Sequence, residues 1–375
     1  MLSYKIEPNL LKMLQDLEGH LLGTYTKLQT LSYAELESIH RYARISMIGA
    51  STRIENALLT DSEIDWLDTI LTNDGKTTAL DANRTLIENK LSKDRERSIE
   101  EVAGCRGMLM SIYENASLLY PLRESDLRGL HHLLMSPYQG AGPYIGRYKV
   151  QSNSVVEHNR FTGETRTVFQ TADAGVITTS AMADLVSWYN ANLYTERWPL
   201  AISCEFVYRF LAIHPFADGN GRMGRGLFLM SLLQSTQPII SSVARYLAID
   251  RQIEKHKEEY YFVLNQCSNG KFSQDSNQYK IAYFLRFMVK MISDALTDIE
   301  IYQRKYHKML ALSPSAAKVL ECFRGNPETR LTTKLIIEMT NLPRRTIGNS
   351  LSTLLKAELI QKYGLGAGSR YQITF

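Results

Sequence analysis

At 375 residues the chain is longer than one ordinary core accommodates, so two or three domains are expected. Apolar residues make up 44% and charged residues 22%, which excludes a chain that is disordered as a whole. The formal net charge of +4 neither demands nor excludes nucleic acid.

The four cysteines, Cys105, Cys204, Cys267 and Cys322, have no CxxC spacing, which argues against a disulfide framework or a zinc site and for a reducing compartment. The opening MLSYKIEPNLL lacks the basic-then-apolar layout of a secretory signal, and no run of about eighteen apolar residues suggests a membrane span. A cytoplasmic, multidomain protein with no membrane partner is the expectation.

Taken in chain order, most segments read as helix. LLKMLQDLEGHLLGTYTKLQTL and AELESIHRYARISMIGAS carry apolar residues at three- and four-residue steps, and 98–118, 125–135, 175–194, 200–213, 221–235, 251–268 and 279–308 behave alike. Within the second segment and just after it, GASTRIENALLT sets Ser51, Glu55 and Asn56 at S-x-x-x-E-N spacing. On periodicity alone this is a solvated helix face ending in a C-cap at Asn56. One stretch departs from helix. After the turn-rich SPYQGAGPYIG, β-branched clusters at 150–156 and 165–169 flank a polar, Gly-containing turn, which predicts a β-hairpin spanning about 147–170. Two strands alone are marginal, so the hairpin must dock on something.

The helical pattern AISCEFVYRFLAI then runs into HPFADGNGRMGR. His214 precedes a proline and is pushed out of the helical region. Gly219 and Gly221 permit close backbone approach to a ligand or positive φ. GRMGRGLFLMSLLQ resumes helical spacing, so the glycines open a helix whose free N–H groups and positive dipole end suit a phosphate. Arg222 and Arg225, three apart, share a face from which both reach that anion. Asp218 is placed to hold Mg²⁺ together with phosphate oxygens, and His214 to take a proton from an incoming hydroxyl. These roles fit transfer of a phosphate-containing group; the bland alternative is a tight loop whose Asp–Arg pair caps a helix.

Beyond LALSPSAAK the pattern changes again. SPSAAKVLECF, TTKLIIEMT and RRTIGNSLSTLLKAE read as three helices, and LIQKYGLGAGSRYQITF alternates like two strands around a Gly-rich tip. Residues 313–375 hold nine Lys/Arg, four Glu and no Asp, which is 9 − 4 = +5 and leaves −1 for the remainder.

HPFADGNGRMGR resembles the HPFxDGNGRxxR motif of the Fic domain family at every fixed position. The resemblance implies a mainly α fold, a Fic-type helical bundle with a β-hairpin flap; separately, the tail order of helix, helix–turn–helix and small wing resembles a small C-terminal winged helix-turn-helix domain. Together they imply an N-terminal helical region over 1–95 with an inhibitory helix at about 46–59, a catalytic domain over 96–309, and the winged-helix domain over 310–375. Such proteins move AMP from ATP to a hydroxyl side chain of a target protein. The resemblance therefore implies ATP and Mg²⁺, His214 as general base, and Asp218 as the magnesium ligand. It makes Gly219, Asn220, Gly221 and Arg222 the anion hole and Arg225 the partner of the terminal phosphate, with Phe216 a buried anchor. The related Doc branch, which phosphorylates, usually carries Lys at the place of Gly221, so glycine favours nucleotidyl transfer.

By the same resemblance Val150, Val155 and Val168 lie on the flap that aligns a target segment by strand addition. EEYYFVL places Tyr260 near adenine or, equally, on a packed helix. STRIEN satisfies the inhibitory pattern [S/T]xxxE[G/N], which implies that Glu55 pairs with Arg225 in place of the γ-phosphate. In some members this glutamate also helps water remove AMP from the modified target, so a de-AMPylase using the same site stays open. So does a DNA-binding regulator with Arg344, Arg345 and Asn349 at the start of a recognition helix and Lys362 and Arg370 bracing phosphates. A target protein with an acceptor hydroxyl is the implied partner; a homodimer and DNA are further candidates.

Overall fold

The structure is a computed structural model and describes residues 2–73, 76–77, 80–91, 95–158 and 165–375. Helix α1 (Pro8–Leu28) starts on a proline, whose missing N–H is no loss in a first turn, and buries Leu10, Leu14, Leu17, Leu21 and Leu28 along one stripe. Helix α2 (Tyr33–Ile54) is capped by Ser32, whose Oγ accepts from the Glu35 N–H at 3.3 Å. Its second half is buried almost all round, as befits a helix enclosed by others.

There follow α3 (Asp61–Ile70), a short antiparallel pair β1 (Thr72–Asn73) and β2 (Lys76–Thr77), α4 (Leu80–Leu91), α5 (Glu96–Asn115) and α6 (Glu124–Met135). The hairpin comes next, as β3 (Ser154–His158) and β4 (Thr165–Gln170), and then α7 (Val176–Asn192), α8 (Pro199–Ile213) and α9 (Asn220–Leu233). The remaining helices of the main body are α10 (Pro238–Ala244), α11 (Ile249–Lys255), α12 (Lys257–Ser268) and α13 (Ile281–Leu310). The single helix expected over 251–268 is thus two, broken at His256, whose φ of −117° leaves the helical range. One hydrophobic core runs from Leu10 to Tyr302 through all these helices, so α1 and α2 pack into the same interior as α8 and α9.

The hairpin strands pair antiparallel with a register shift between Val155 and Val156. Strand formation begins four residues later than the cluster at 150–156 suggests. Val150 stands before β3 in irregular chain at 82% exposure, whereas Val155 in β3 and Val168 in β4 are half-buried. The tip at 159–164 lies outside the described residues. The hairpin does dock: the Gln170 N–H donates to Gly270 O at 2.8 Å, the Phe272 N–H to Gln170 O at 2.8 Å, and Asn265 Nδ2 to Val168 O at 3.0 Å. Gly270 has φ +71°, and a Cβ there would lie 2.6 Å from Val168 O.

Residues beyond α13 build a second, separate core from α14 (Pro314–Arg324), β5 (Leu331–Thr332), α15 (Thr333–Thr340), α16 (Arg344–Lys356), β6 (Ile360–Tyr363) and β7 (Arg370–Ile373). Its antiparallel sheet runs in the order β5–β7–β6. Among the described residues no helix is long and apolar enough to cross a membrane.

Helices α5 and α6 come close because Gly104 has no side chain: a Cβ there would collide with the Leu134 carbonyl. This approach presents His131 of α6 to the loop after α8. Gly104→Ala is therefore expected to destabilise the protein by about 1–3 kcal/mol through overpacking against rigid backbone, read as a drop in chemical-denaturation midpoint. Gly107→Ala, whose Cβ would sit 3.7 Å from Leu133 O, is the matched control with little effect.

Candidate active site

The site forms where α8 stops and α9 starts. Helix α8 is ended by His214 itself, in the left-handed region at φ 53° and ψ 58°. Its Nδ1 lies 3.3 Å from the Leu211 carbonyl. A carbonyl only accepts, so Nδ1 carries the proton and Nε2 keeps a free lone pair. Burial and the nearby Lys149 ammonium push the imidazole pKa down to about 4, against the pull of Leu211 O, Glu55 and Asp218. The ring is thus neutral and able to accept a proton at physiological pH.

The loop 215–219 is braced from several sides. Asn220 Oδ1 accepts from the Phe216 N–H at 3.0 Å, and its Nδ2 donates to Phe216 O at 2.8 Å. Its side chain is therefore committed to closing the loop. Phe216 is buried and stacks on His131 at 3.8 Å and 4°. His131 Nδ1 accepts from the Gly146 N–H at 3.0 Å, so Nε2 is the donor to Asp218 O at 3.1 Å. Gly219 takes φ +80° as the N-cap of α9. Asp218 Oδ1 accepts from the Gly219 N–H at 2.6 Å, and the carboxylate is 54% exposed with Arg97 at 3.8 Å and Arg222 at 3.5 Å. Among the described residues no group of three or more His, Cys, Asp or Glu gathers to hold a metal. A single open carboxylate is still the donor set by which Mg²⁺ is commonly held, with substrate phosphates and water completing the shell.

Both arginines are buried. Arg222 Nη1 donates to the Tyr138 hydroxyl, while its Nε has no partner among the described residues. Arg225, 3% exposed, donates from Nε to Ser51 Oγ at 3.0 Å and from Nη2 to Ser51 O at 2.8 Å and Glu55 Oε1 at 2.9 Å. Asp250 Oδ2 is 3.5 Å from its Nε, and burial raises that carboxyl to about 6 despite the guanidinium. Burial alone would lower the Arg225 pKa; Glu55 and Asp250 together raise it.

Glu55 reaches this place because α2 ends there. The Asn56 N–H donates to Arg53 O at 2.9 Å and the Ala57 N–H to Thr52 O at 3.1 Å, with Asn56 at φ 75°. This is a Schellman closure with asparagine as its left-handed residue. Arg53 clamps the last turn with a bidentate pair to Glu254 at 2.6 and 3.0 Å and a third bond to Asp61 at 2.7 Å. The Glu55 carboxylate lies against the first turn of α9, where a Cβ on Gly221 would run into its Oε1.

His214, Asp218, Gly219, Gly221, Arg222, Arg225, Ser51 and Glu55 thus meet at one end of α9. Tyr260 is also close by, but it is 2% exposed and packed on Phe284 and Phe287, with no open ring face to offer a base. Its neighbour Tyr261 is partly exposed and feels both Glu55 and Arg225. Val155 and Val168 stand on the docked hairpin, and Arg344, Arg345 and Asn349 are exposed on α16, in the second core. Sequence reasoning missed His131, Tyr138, Lys149 and Asp250. None lies in a motif; the HH pair at 131–132 and the tyrosine after Pro137 carry no spacing signal.

This geometry agrees with a match to known proteins. Residues 121–232 match the Fic/DOC family model. The chain carries a Fic domain. A crystal structure of a Fic family protein from Desulfovibrio desulfuricans superposes with a TM-score of 0.58 at 25% identity, covering 100% of this chain and 98% of that one. A Fic domain containing signaling protein from Bacteroides thetaiotaomicron gives 0.56 at 22% identity over 78% of this chain and 97% of that one, a likeness of fold. A Fido domain-containing protein of Dictyostelium discoideum is 47% identical over 45 residues, 12% of this chain and 32% of that protein. The match thus spans about a third of that relative's length. Members of the Fic family typically transfer nucleotidyl groups to proteins and use ATP as substrate.

The pairing of Arg225 sets the stability of this Fic site. Arg225→Ala strands Asp250 and removes the contacts of Ser51, and is expected to cost about 3–5 kcal/mol. Glu55→Gly leaves the guanidinium with Ser51 and Asp250, so its denaturation midpoint should stay within about 1 kcal/mol of the parent, the usual range for partly exposed ion pairs. Parallel urea melts of the two variants check the contrast.

Proposed function

We propose that this protein is an autoinhibited protein adenylyltransferase, transferring AMP from ATP to a Ser, Thr or Tyr hydroxyl of a target protein. One observation carries the autoinhibition: the Glu55 carboxylate occupies the anion position at Arg225, over Gly221 in the first turn of α9. Charge-assisted pairing at a helix N-terminus is what a phosphate would seek in the same place. A γ-phosphate and Glu55 compete for Arg225, and while Glu55 wins, ATP is held unsuited to in-line attack.

With Glu55 displaced, the residues divide the work. The acceptor hydroxyl oxygen attacks the α-phosphorus and gives its proton to His214 Nε2. The bond from that phosphorus to the bridging oxygen breaks, and pyrophosphate leaves. The first-turn N–H groups of α9 and the Arg222 guanidinium hold the charge that develops on the phosphate oxygens. Asp218 would hold Mg²⁺, which neutralises phosphate charge when bound. Tyr261, the more open of the two tyrosines and under the influence of Glu55 and Arg225, would border the nucleotide. Strand addition to the β3–β4 hairpin, with Val155 and Val168 on its surface, would align the target segment.

Incubation with labelled ATP and Mg²⁺ tests this. Glu55→Gly should raise AMP incorporation by about fivefold, the change that about 1 kcal/mol for a partly exposed ion pair corresponds to. His214→Ala on that background should cut it by about 10²- to 10⁴-fold. No labelling of itself or of lysate proteins by either the parent or Glu55→Gly overturns the reading. If AMP is instead lost from the labelled product in a Glu55-dependent way, hydrolysis is the main activity.

A second reading concerns the C-terminal unit. The order of α14–α16 and the β6–β7 hairpin is that of a winged helix, and Arg344, Arg345 and Asn349 stand exposed at the start of α16, with Lys362 and Arg370 exposed on the sheet. This supports DNA binding by that unit. Duplex retardation by the full chain should weaken with salt, and Arg344→Ala with Arg345→Ala should lower the log–log salt slope by about 0.9 per lost phosphate contact. Salt-independent binding would refute it.

A further inference from the structure

Lys149 is 4% exposed, yet among the described residues its ammonium touches only neutral groups: Asn153 Oδ1 at 2.9 Å, Thr171 Oγ1 at 2.9 Å and the Ile213 carbonyl at 3.0 Å. Burial pulls its pKa down to about 8, with Asp173 the opposing charge. A buried cation without a contacting carboxylate is costly, so its placement calls for a reason beyond packing.

The three acceptors belong to three different pieces of chain. Asn153 directly precedes β3 and Thr171 directly follows β4, so these are the two legs of the hairpin. Ile213 is the last residue of α8, next to His214, where a cation also meets the negative end of the helix. The Lys149 N–H donates to Pro215 O at 2.8 Å, and Asn153 Nδ2 to Phe216 O at 3.1 Å. Main-chain groups on both sides of His214 are therefore gripped from the hairpin base. That grip matters because a left-handed non-glycine residue costs about 1–2 kcal/mol and persists only where its surroundings over-determine it.

We infer that Lys149 is a positioning residue for the Fic reaction, tying both legs of the flap hairpin to the carbonyl before His214 so that the base is in place only when the flap is anchored. This rests on the reading of His214 as base. The charged groups that act on the imidazole are Lys149 from the hairpin base, Glu55 from the end of α2 and Asp218 from the loop. Lys149 favours the neutral ring; the two carboxylates oppose it.

Lys149→Met keeps the volume and removes the charge and the bond to Ile213 O, while Thr171 Oγ1 still bonds Asn153 at 2.6 and 2.8 Å. On the Glu55→Gly background it should lower kcat for AMP transfer by about 10- to 100-fold with KM for ATP nearly unchanged, as expected for a displaced base. Lys149→Arg should recover most of the loss. Independently of activity, the His214 ring signal in histidine-labelled protein should titrate about one pH unit or more higher in Lys149→Met than in the parent. An unchanged kcat together with an unchanged His214 titration overturns the proposal. If Lys149→Met does not give a cooperative melt, Thr171→Val asks the same question, with a smaller fall in kcat and the same direction of titration. Should Glu55→Gly show no AMP transfer at all, the functional reading falls while the titration still decides the role of Lys149.

Discussion

A guanidinium taken out of water must be paired, and the arrangement of this protein around Arg225 follows from that constraint. Its partners come from distant parts of the chain: Ser51 and Glu55 at the end of α2, and Asp250 in α11. They differ in exposure. Ser51 and Asp250 are fully buried, whereas the Glu55 side chain keeps about a third of its surface open. Among the described residues, Ser51 and Asp250 are thus buried partners of Arg225 and Glu55 is a partly open one.

The partly open partner nevertheless sits on a rigid support. The last turn of α2 is closed by the Asn56 Schellman bonds and pinned by Arg53 to Glu254 and Asp61. The negative end of the α2 dipole and the Ser51 carbonyl face the same guanidinium, and the positive end of α9 faces the Glu55 carboxylate. Two helix termini of opposite sign therefore meet across one ion pair. Glu55 meets Arg225 through its side chain alone, at 2.9 Å, and not through the backbone of either helix.

Legibility in the sequence followed local spacing. The helices, the hairpin and the split at about 310 could be read because period and turn chemistry are short-range signals, and His214-Pro215 through Arg225 because the chemistry lies within twelve consecutive residues. The S-x-x-x-E-N pattern shows where such reading is ambiguous. Half of its bland interpretation holds: Asn56 is the left-handed residue that closes the helix, but the face is not solvated, Ser51 and Thr52 being buried, and the same closure aims Glu55 at Arg225. What spacing did not reveal is the tertiary bracing: His131 under the loop, Tyr138 against Arg222, Asp250 beside Arg225, Lys149 beneath His214. Each is defined by a partner 25 to 87 positions away. The start of β3 was likewise misplaced. Val150 looks like strand by type, but Lys149 just before it is drawn into the interior, and the pairing with β4 begins only after Asn153.

The loop between α8 and α9 is held from three directions, and each hold does different work. Asn220 closes it internally on Phe216, His131 supports it from α6 through stacking and the Asp218 carbonyl, and Lys149 with Asn153 grips it from the hairpin base. The first two fix where the glycine N–H groups and Asp218 point, which is a matter of binding anions. The third fixes the conformation of His214, which is a matter of accepting a proton. Glu55 is part of none of these three braces; its carboxylate lies on the anion side of the site, against Arg225 and Gly221. On the proposed reading, base placement follows the hairpin and phosphate placement follows α2, and the site is competent only when both are correctly set.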